Sequence, residues 1–441
     1  MDETSAGSGP PVEERYRAAS PRSRAAFDRA NAVMPGGVKG AYFYPPYPLT
    51  VERGDGCYVH DLDGRKLVDF NNHHTAQILG HNHPAVVAAV REQVSGGIAL
   101  SAPAGVETEL AEAICGRVKT VEKIRFCNSG TEATLHAIRL ARGVTGRTKI
   151  AKFEGGYHGS HDVVEVSVAP PLDRAGPASA PHSVSTAGGA SPNAAGEVVV
   201  LPYNDEDAVE RLLARHRREL ACVIFDPRAG ILAQRAEFAQ FVCDMARRHN
   251  LMVIFDEIVG FRVGTGGLQE YYGIEPDLTT FGKVIGGGFP VGAFGGRADL
   301  MDRFDASRGP TGFFQSGTFS GHPVAMAAGL ATLKQLTPDV FAHLNRLGKR
   351  LRDGLNRLFS ERGVDATAVG VGSLFSIHFS GERMLNYRHL ARTDKAAAHR
   401  LLLGLIEQGY FLGNGLLMCA VSAPMDEGHV DGLIEAVDRA I

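Results

Sequence analysis

Leu251-Met252-Val253-Ile254-Phe255-Asp256-Glu257-Ile258-Val259-Gly260 is the stretch whose reading decides the fold. Five apolar residues rich in branched types, followed at once by carboxylates, read as a strand buried on both faces of a parallel sheet. From about Pro84 to Leu333, strand and helix patterns alternate, which indicates a large α/β domain. After Leu333, a helical pattern over Phe341–Phe359 leads into strands at 372–379 and 416–421, which predict a smaller C-terminal domain. Residues 51–70 read as a hairpin that joins this smaller domain. The expected division is a mobile tail at 1–22, an N-terminal segment at 23–83 packing with the small domain, a large domain at 84–335 and a small domain at 336–441. Within the large domain, 170–195 is poor in large apolar residues and reads as a mobile loop near the site.

In open α/β sheets, a carboxylate at the C-terminal end of a strand points into the crevice where ligands bind. Asp256 is the better candidate because it comes first after the strand; a helix N-cap or a magnesium ligand would use the same position. Downstream runs Asp277-Leu-Thr-Thr-Phe-Gly-Lys283-Val-Ile-Gly-Gly-Gly-Phe-Pro290. A lysine becomes a useful nucleophile when held away from bulk water with a lowered pKa. The glycines after Lys283 let the backbone pass close to a flat cofactor, though a surface lysine before a hinge would look alike. Lys283 with Asp256 upstream suits pyridoxal 5'-phosphate, whose ring nitrogen needs an anionic partner. A third element, Asn128-Ser129-Gly130-Thr131-Glu132, lies between a short strand and a helical pattern. Its free N–H groups and the Ser129 and Thr131 hydroxyls would cradle a phosphate; an ordinary capping box would read the same way. No Gly-Lys-Ser/Thr follows, so an ATP loop lacks its lysine.

Composition sets limits. A chain of 441 residues with 44% hydrophobic content can fill a large core. The net charge of -3 gives no electrostatic reason to expect nucleic acid or an anionic membrane. The N-terminus has no signal-peptide apolar core and no apolar run reaches the roughly 20 residues of a membrane span. Six cysteines without Cys-x-x-Cys spacing fit free thiols in a reducing cytoplasm, the expected location. His73, His74, His81 and His83 fall within eleven positions, yet no Cys-x-x-Cys, His-Glu-x-x-His or acidic cluster supports a metal site, and none is expected.

Ser129-Gly-Thr-Glu-Ala, Phe153-Glu-Gly-Gly-Tyr157-His158-Gly, Asp256-Glu, the Lys283 segment and Gly317-Thr318-Phe-Ser-Gly occur in one order. Together they resemble the signature of class III aminotransferases, in the branch of glutamate-1-semialdehyde 2,1-aminomutases and related amino-acid aminotransferases. The similarity runs from about Met34 to the C-terminal helix. It implies the fold type I architecture of PLP-dependent transferases: a large doubly wound, mostly parallel-sheet domain plus a smaller α+β domain. It further implies a Schiff base on Lys283, Asp256 at the ring nitrogen, Tyr157 and Ile258 on opposite ring faces, and Thr318 reaching the phosphate of a neighbouring subunit in a homodimer. Lys39, His74 and Ile231 stand at candidate substrate positions. Aminomutases usually carry tryptophan where this chain has His74, and asparagine where it has Ile231. The expected activity is therefore transfer of an amino group from a less polar donor, a β-amino acid among the candidates, to a keto acid. Intramolecular transfer of the aminomutase kind is the alternative.

Overall fold

The computed structural model describes residues 10–310 and 312–441. Its centre is a seven-stranded sheet in the order Lys123–Cys127, Gly292–Gly296, Leu278–Gly282, Met252–Asp256, Leu220–Phe225, Lys149–Phe153 and Val198–Leu201. Gly292–Gly296 runs antiparallel to both neighbours, and the remaining pairings are parallel. Alternation along the strands explains the unbroken apolar runs. Val253 and Phe255 enter one core with Phe153, Val223 and Phe225, whereas Met252 and Ile254 enter another with Ile150, Cys222 and Ile224. Helix Ala236–Arg248 covers the first face through Phe238, Val242 and Cys243; helix Gly130–Thr145 covers the second through Ala137, Ile138 and Leu140.

A third core joins both ends of the chain. Strands Val51–Asp55, Tyr58–Asp61 and Lys66–Asp69 form a meander, one strand more than the expected hairpin, and Tyr410–Phe411 adds in parallel. A separate three-stranded sheet, Ala366–Val369, Leu374–Phe379 and Cys419–Ala420, carries helices Pro338–Arg362, Lys395–Glu407 and Glu427–Ala440. The predicted strand at 416–421 is short because Leu416 and Met418 take positive φ values of 59° and 54°, which break extended pairing.

The tail differs from its expectation. Val12–Ala19 is a helix, and Tyr16 is fully buried with its hydroxyl donating to the Tyr47 carbonyl at 2.8 Å. One buried aromatic anchors a stretch whose Gly, Ser and Pro content had suggested mobility; residues 1–9 lie outside the described residues. The 170–195 segment is likewise tied down. Arg388 donates to Glu154 through Nε and Nη2 at 3.0 Å each, and to the Gly176 and Ala175 carbonyls at 2.7 and 3.0 Å. Low apolar content misled here because polar bonds do the fixing.

Candidate active site

The carboxyl ends of the parallel strands open onto a cavity of about 840 Å³. Lys283, Asp256, Ser129, Gly130, Thr131, Tyr157 and Ile258 all line it, as do Lys39, His74 and Ile231. Thr318 does not; it lies exposed on another surface loop.

Asp256 ends its strand buried, with both carboxylate oxygens engaged. Oδ2 accepts from His158 Nδ1 at 2.8 Å, while Oδ1 accepts from Thr280 Oγ1 and the Ile258 N–H at 3.1 Å each. Three donors fix the direction of the group. The adjacent Glu257 turns away from the cavity. It is fully buried, accepts from the Gln269 N–H at 2.7 Å, and burial pushes its carboxyl up to about 8.

Lys283 follows the strand Leu278–Gly282 with φ of 49°, a left-handed conformation that turns it out of the strand's line. Desolvation lowers its amine from 10.5 to about 8, against the opposing pull of Asp226 and Asp256. Roughly a tenth of such an amine is neutral at pH 7, far more than of an ordinary lysine, and the neutral form is what a nucleophile requires.

The helix Gly130–Thr145 points its start at the same cavity. Ser129 Oγ accepts from the Glu132 N–H at 3.2 Å, and Thr131 Oγ1 accepts from the Ser160 N–H at 3.2 Å. The hydroxyls are thus held in place by capping and loop bonds, and each keeps its own proton to donate. The Gly130 and Thr131 N–H groups are the unpaired donors of a helix start, suited to an anion. A Cβ at Gly130 would lie 2.5 Å from Ile258 Cδ1, so the helix start packs closely on this wall and a larger residue would push the end of Ile258 aside. Tyr157, 51% exposed, and Ile258 supply flat and branched surfaces on the cavity wall.

One wall is built from an unusual backbone. Asn72, His73, His74 and Thr75 all have positive φ, between 50° and 72°, forming a left-handed turn without glycine. Such a turn costs about 1–2 kcal/mol per residue and needs external support. Support comes from Asn71, whose Oδ1 accepts from the His74 N–H at 2.8 Å, and from Asp69, whose Oδ1 accepts from the Asn71 and Asn72 N–H groups at 2.9 Å each. Arg262, fully buried, donates from Nη1 to the Thr75 carbonyl at 2.6 Å, from Nη2 to Val421 at 2.7 Å and from Nε to Ser373 Oγ at 3.0 Å. The turn presents His73 and His74 beside Tyr42 and Lys39, whose Nζ sits 4.4 Å from the centre of the Tyr42 ring. Burial and the nearby Lys283 lower His74 to about 4, which leaves its ring neutral at pH 7. The other two histidines of this region face elsewhere: His81 Nε2 meets Asp69 Oδ2 at 2.8 Å, and His83 Nδ1 accepts from the Ala85 N–H at 3.3 Å.

Sequence reasoning missed four of these residues. His158 stood beside Tyr157 in a quoted motif, and Thr280 lay three residues before Lys283, without a role for either. Arg228, three residues before Ile231, lines the cavity, and Arg262 braces its wall. Only the pairing of His158 with a carboxylate had any local signal, a histidine within a glycine-rich turn.

A nucleophilic amine, a fixed carboxylate and an anion-binding helix start therefore face one space, with aromatic and branched side chains on its walls. This set fits a flat cofactor carrying a phosphate and an electrophilic carbon. The family model for class-III aminotransferases matches residues 41–415. A glutamate-1-semialdehyde 2,1-aminomutase of Methanothermobacter thermautotrophicus is 38% identical over 427 residues, covering 95% of this chain and 99% of that protein. The crystal structure of an omega-transaminase from Sphaerobacter thermophilus superposes with a TM-score of 0.89 at 39% identity, covering 95% of this chain and 96% of that one. A beta-phenylalanine aminotransferase from Variovorax paradoxus gives a TM-score of 0.88 at 34% identity, covering 97% and 95%. The chain belongs to the class-III aminotransferase family.

Proposed function

We propose that this chain binds pyridoxal phosphate and moves an amino group from a donor with an apolar side to a separate keto acid, both reacting in turn in the Lys283 cavity. Bound there, pyridoxal phosphate supplies an electron sink for the substrate carbon that loses its proton. Lys283 Nζ would hold the cofactor and, as the cavity's nucleophilic amine, would take and return that proton. Asp256 would face the ring nitrogen and favour its protonated form, with His158, Thr280 and the Ile258 N–H keeping the carboxylate aimed. Gly130 and Thr131 N–H groups, with the Ser129 and Thr131 hydroxyls, hold the phosphate. Tyr157 and Ile258 enclose the ring.

The observation that carries transfer between molecules is the character of the wall. Ile231, 3% exposed, contributes an apolar surface to the cavity that Leu390, Leu417 and Met418 also line, and His74 adds a neutral ring to the same cavity. The side chains of Ile231, Leu390 and Leu417 offer no hydrogen-bond partner to the amino groups of the diamine that an intramolecular transfer must retain between its halves. The 38% identity to an aminomutase favours that second reading. The decisive experiment supplies purified enzyme with glutamate 1-semialdehyde and, separately, with apolar amino donors, each with and without a keto acid. Turnover that requires the keto acid supports the proposal; steady conversion of glutamate 1-semialdehyde without one overturns it.

The site is completed by a second copy of the chain. Thr318 sits on an exposed loop with Phe314 and Phe319, which are 79% and 60% exposed, an apolar surface that a partner subunit would cover. In that arrangement Thr318 adds its hydroxyl to the partner's phosphate site.

A further inference from the structure

Arg228 is the only arginine lining the cavity among the described residues, and its backbone is held more firmly than its side chain. Its φ is 54°, in the region L-residues with a Cβ avoid, at a cost of order 1–3 kcal/mol. Asp226 Oδ1 accepts from the Arg228 N–H at 2.9 Å, and the Arg228 carbonyl accepts from the Ile231 and Leu232 N–H groups at 2.8 and 3.0 Å. Gln234 Nε2 adds a bond to the preceding Pro227 carbonyl at 3.2 Å. The turn is thus fixed on both sides of the residue, and Arg228 lines the cavity.

The guanidinium itself makes no hydrogen bond or ion pair among the described residues. The neighbouring buried cations differ. Arg262 donates to three oxygens, Arg388 pairs with Glu154, and Lys152 donates from Nζ to the Val166 carbonyl at 2.6 Å. A half-buried guanidinium with five unused donors, in a cavity whose walls are largely apolar, is incomplete without an anion. The phosphate-binding helix start lies at the end of a different strand, Lys123–Cys127, while Arg228 follows Leu220–Phe225. Arg228 and Lys283 line the same cavity.

We infer that Arg228 binds the carboxylate of the amino donor, and of the keto acid in the return half, through its planar fork of N–H groups. This rests on the aminotransferase reading above and narrows it: the preferred substrates are carboxylates, and simple amines are poor ones. The apolar wall of Ile231, Leu417 and Met418 then receives the rest of the donor.

The test uses full-length enzyme loaded with pyridoxal phosphate, as wild type, Arg228→Gln and Arg228→Lys. Titration with 3-phenylpropanoate, which cannot donate an amino group, reads carboxylate binding through the cofactor's visible band. Charge-assisted bonds of this kind predict about a 10- to 100-fold weaker Kd in Arg228→Gln, with Arg228→Lys between. Single-turnover reaction with 3-amino-3-phenylpropanoate and with 1-phenylethylamine, which differ only by the carboxylate, should show the carboxylate donor losing about 10- to 100-fold more than the amine. Equal losses on both donors, or an unchanged Kd for 3-phenylpropanoate, would overturn the assignment. A band already displaced in Arg228→Gln before any ligand is added would also overturn it, since Arg228 would then be contacting the cofactor. Should the wild type transfer no amino group from any donor, the aminotransferase reading fails, and the 3-phenylpropanoate titration still decides whether Arg228 binds carboxylates.

Discussion

His158 donates from Nδ1 to Asp256 Oδ2 at 2.8 Å, across 98 residues of sequence, and both side chains are buried. The bond sets the tautomer of His158, with the proton on Nδ1, and fixes the direction of the Asp256 carboxylate. Asp256→Asn should retain cofactor through the phosphate contacts yet lose at least ~10³ in kcat, by analogy with other preorganised electrostatic contacts. His158→Gln should lose less, since Thr280 and the Ile258 N–H still hold Oδ1. Its visible band should shift as the carboxylate loses its alignment. Near-normal turnover of Asp256→Asn would place a different residue at the ring nitrogen.

The Lys283 amine predicts how the cofactor-free protein captures pyridoxal phosphate as pH changes. Only the neutral amine attacks, and its pKa is lowered from 10.5 to about 8. The capture rate should therefore rise about tenfold per pH unit up to about 8 and level off above it. An ordinary lysine would keep rising toward 10.5. Stopped-flow absorbance between pH 6 and 10 separates the two profiles. Lys283→Ala should bind the cofactor without a covalent link, so acid denaturation after borohydride treatment releases it free.

Arg262 holds the left-handed turn at Thr75 and joins it to Ser373 and Val421 of the small domain. Arg262→Met would leave two carbonyls and a hydroxyl unpaired in a dry interior, a loss of about 3 kcal/mol or more. A fall in Tm is expected together with a raised KM, because the turn carries the His74 wall. Arg262→Lys should recover part of both. A variant that loses Tm while keeping KM would restrict Arg262 to a stabilising role.

Much of the large domain was legible because its signals are local. Met252–Asp256 shows a buried strand in five letters, and Lys283 stands beside a run of three glycines that marks a special backbone. What could not be read is long-range. Arg262 and Thr75 are 187 residues apart, and no period or motif links an arginine to a turn without glycine. The helix Val12–Ala19 was hidden for a related reason: composition describes the stretch as polar, and the single buried Tyr16 that fixes it to Tyr47 has little weight in an average.

Thr318 gives a test of the shared site. Thr318→Asp places a negative charge where a phosphate is expected, and should weaken cofactor retention strongly. Mixing it with Lys283→Ala under conditions that exchange subunits should restore activity. Each mixed dimer would then contain one site with intact Lys283 from one chain and intact Thr318 from the other. Two inactive homodimers that stay inactive after verified exchange would show that Thr318 serves its own chain or none.

Ile231 and His74 line the cavity and are the positions at which the choice between transfer to a separate keto acid and intramolecular transfer is tested. Ile231 is buried against the strand Leu374–Phe379, where His378 donates from Nε2 to its carbonyl at 2.9 Å, so its side chain has a fixed place on the wall. His74 is neutral at pH 7 and packs edge-on to Tyr42 with ring centres 4.3 Å apart. Replacing them as Ile231→Asn with His74→Trp adds a polar group to one side of the cavity and bulk to the other. Each change should alter discrimination by about 1–3 kcal/mol, so the double variant loses rate on the apolar donor while the cofactor stays covalently bound. The measurement is kcat/KM for the apolar donor and for glutamate 1-semialdehyde, in wild type and variant, with and without a keto acid. Improved conversion of glutamate 1-semialdehyde in the variant would locate the choice of reaction in these two side chains. A wild-type enzyme that already converts it without a keto acid would mean that neither position excludes the intramolecular reaction.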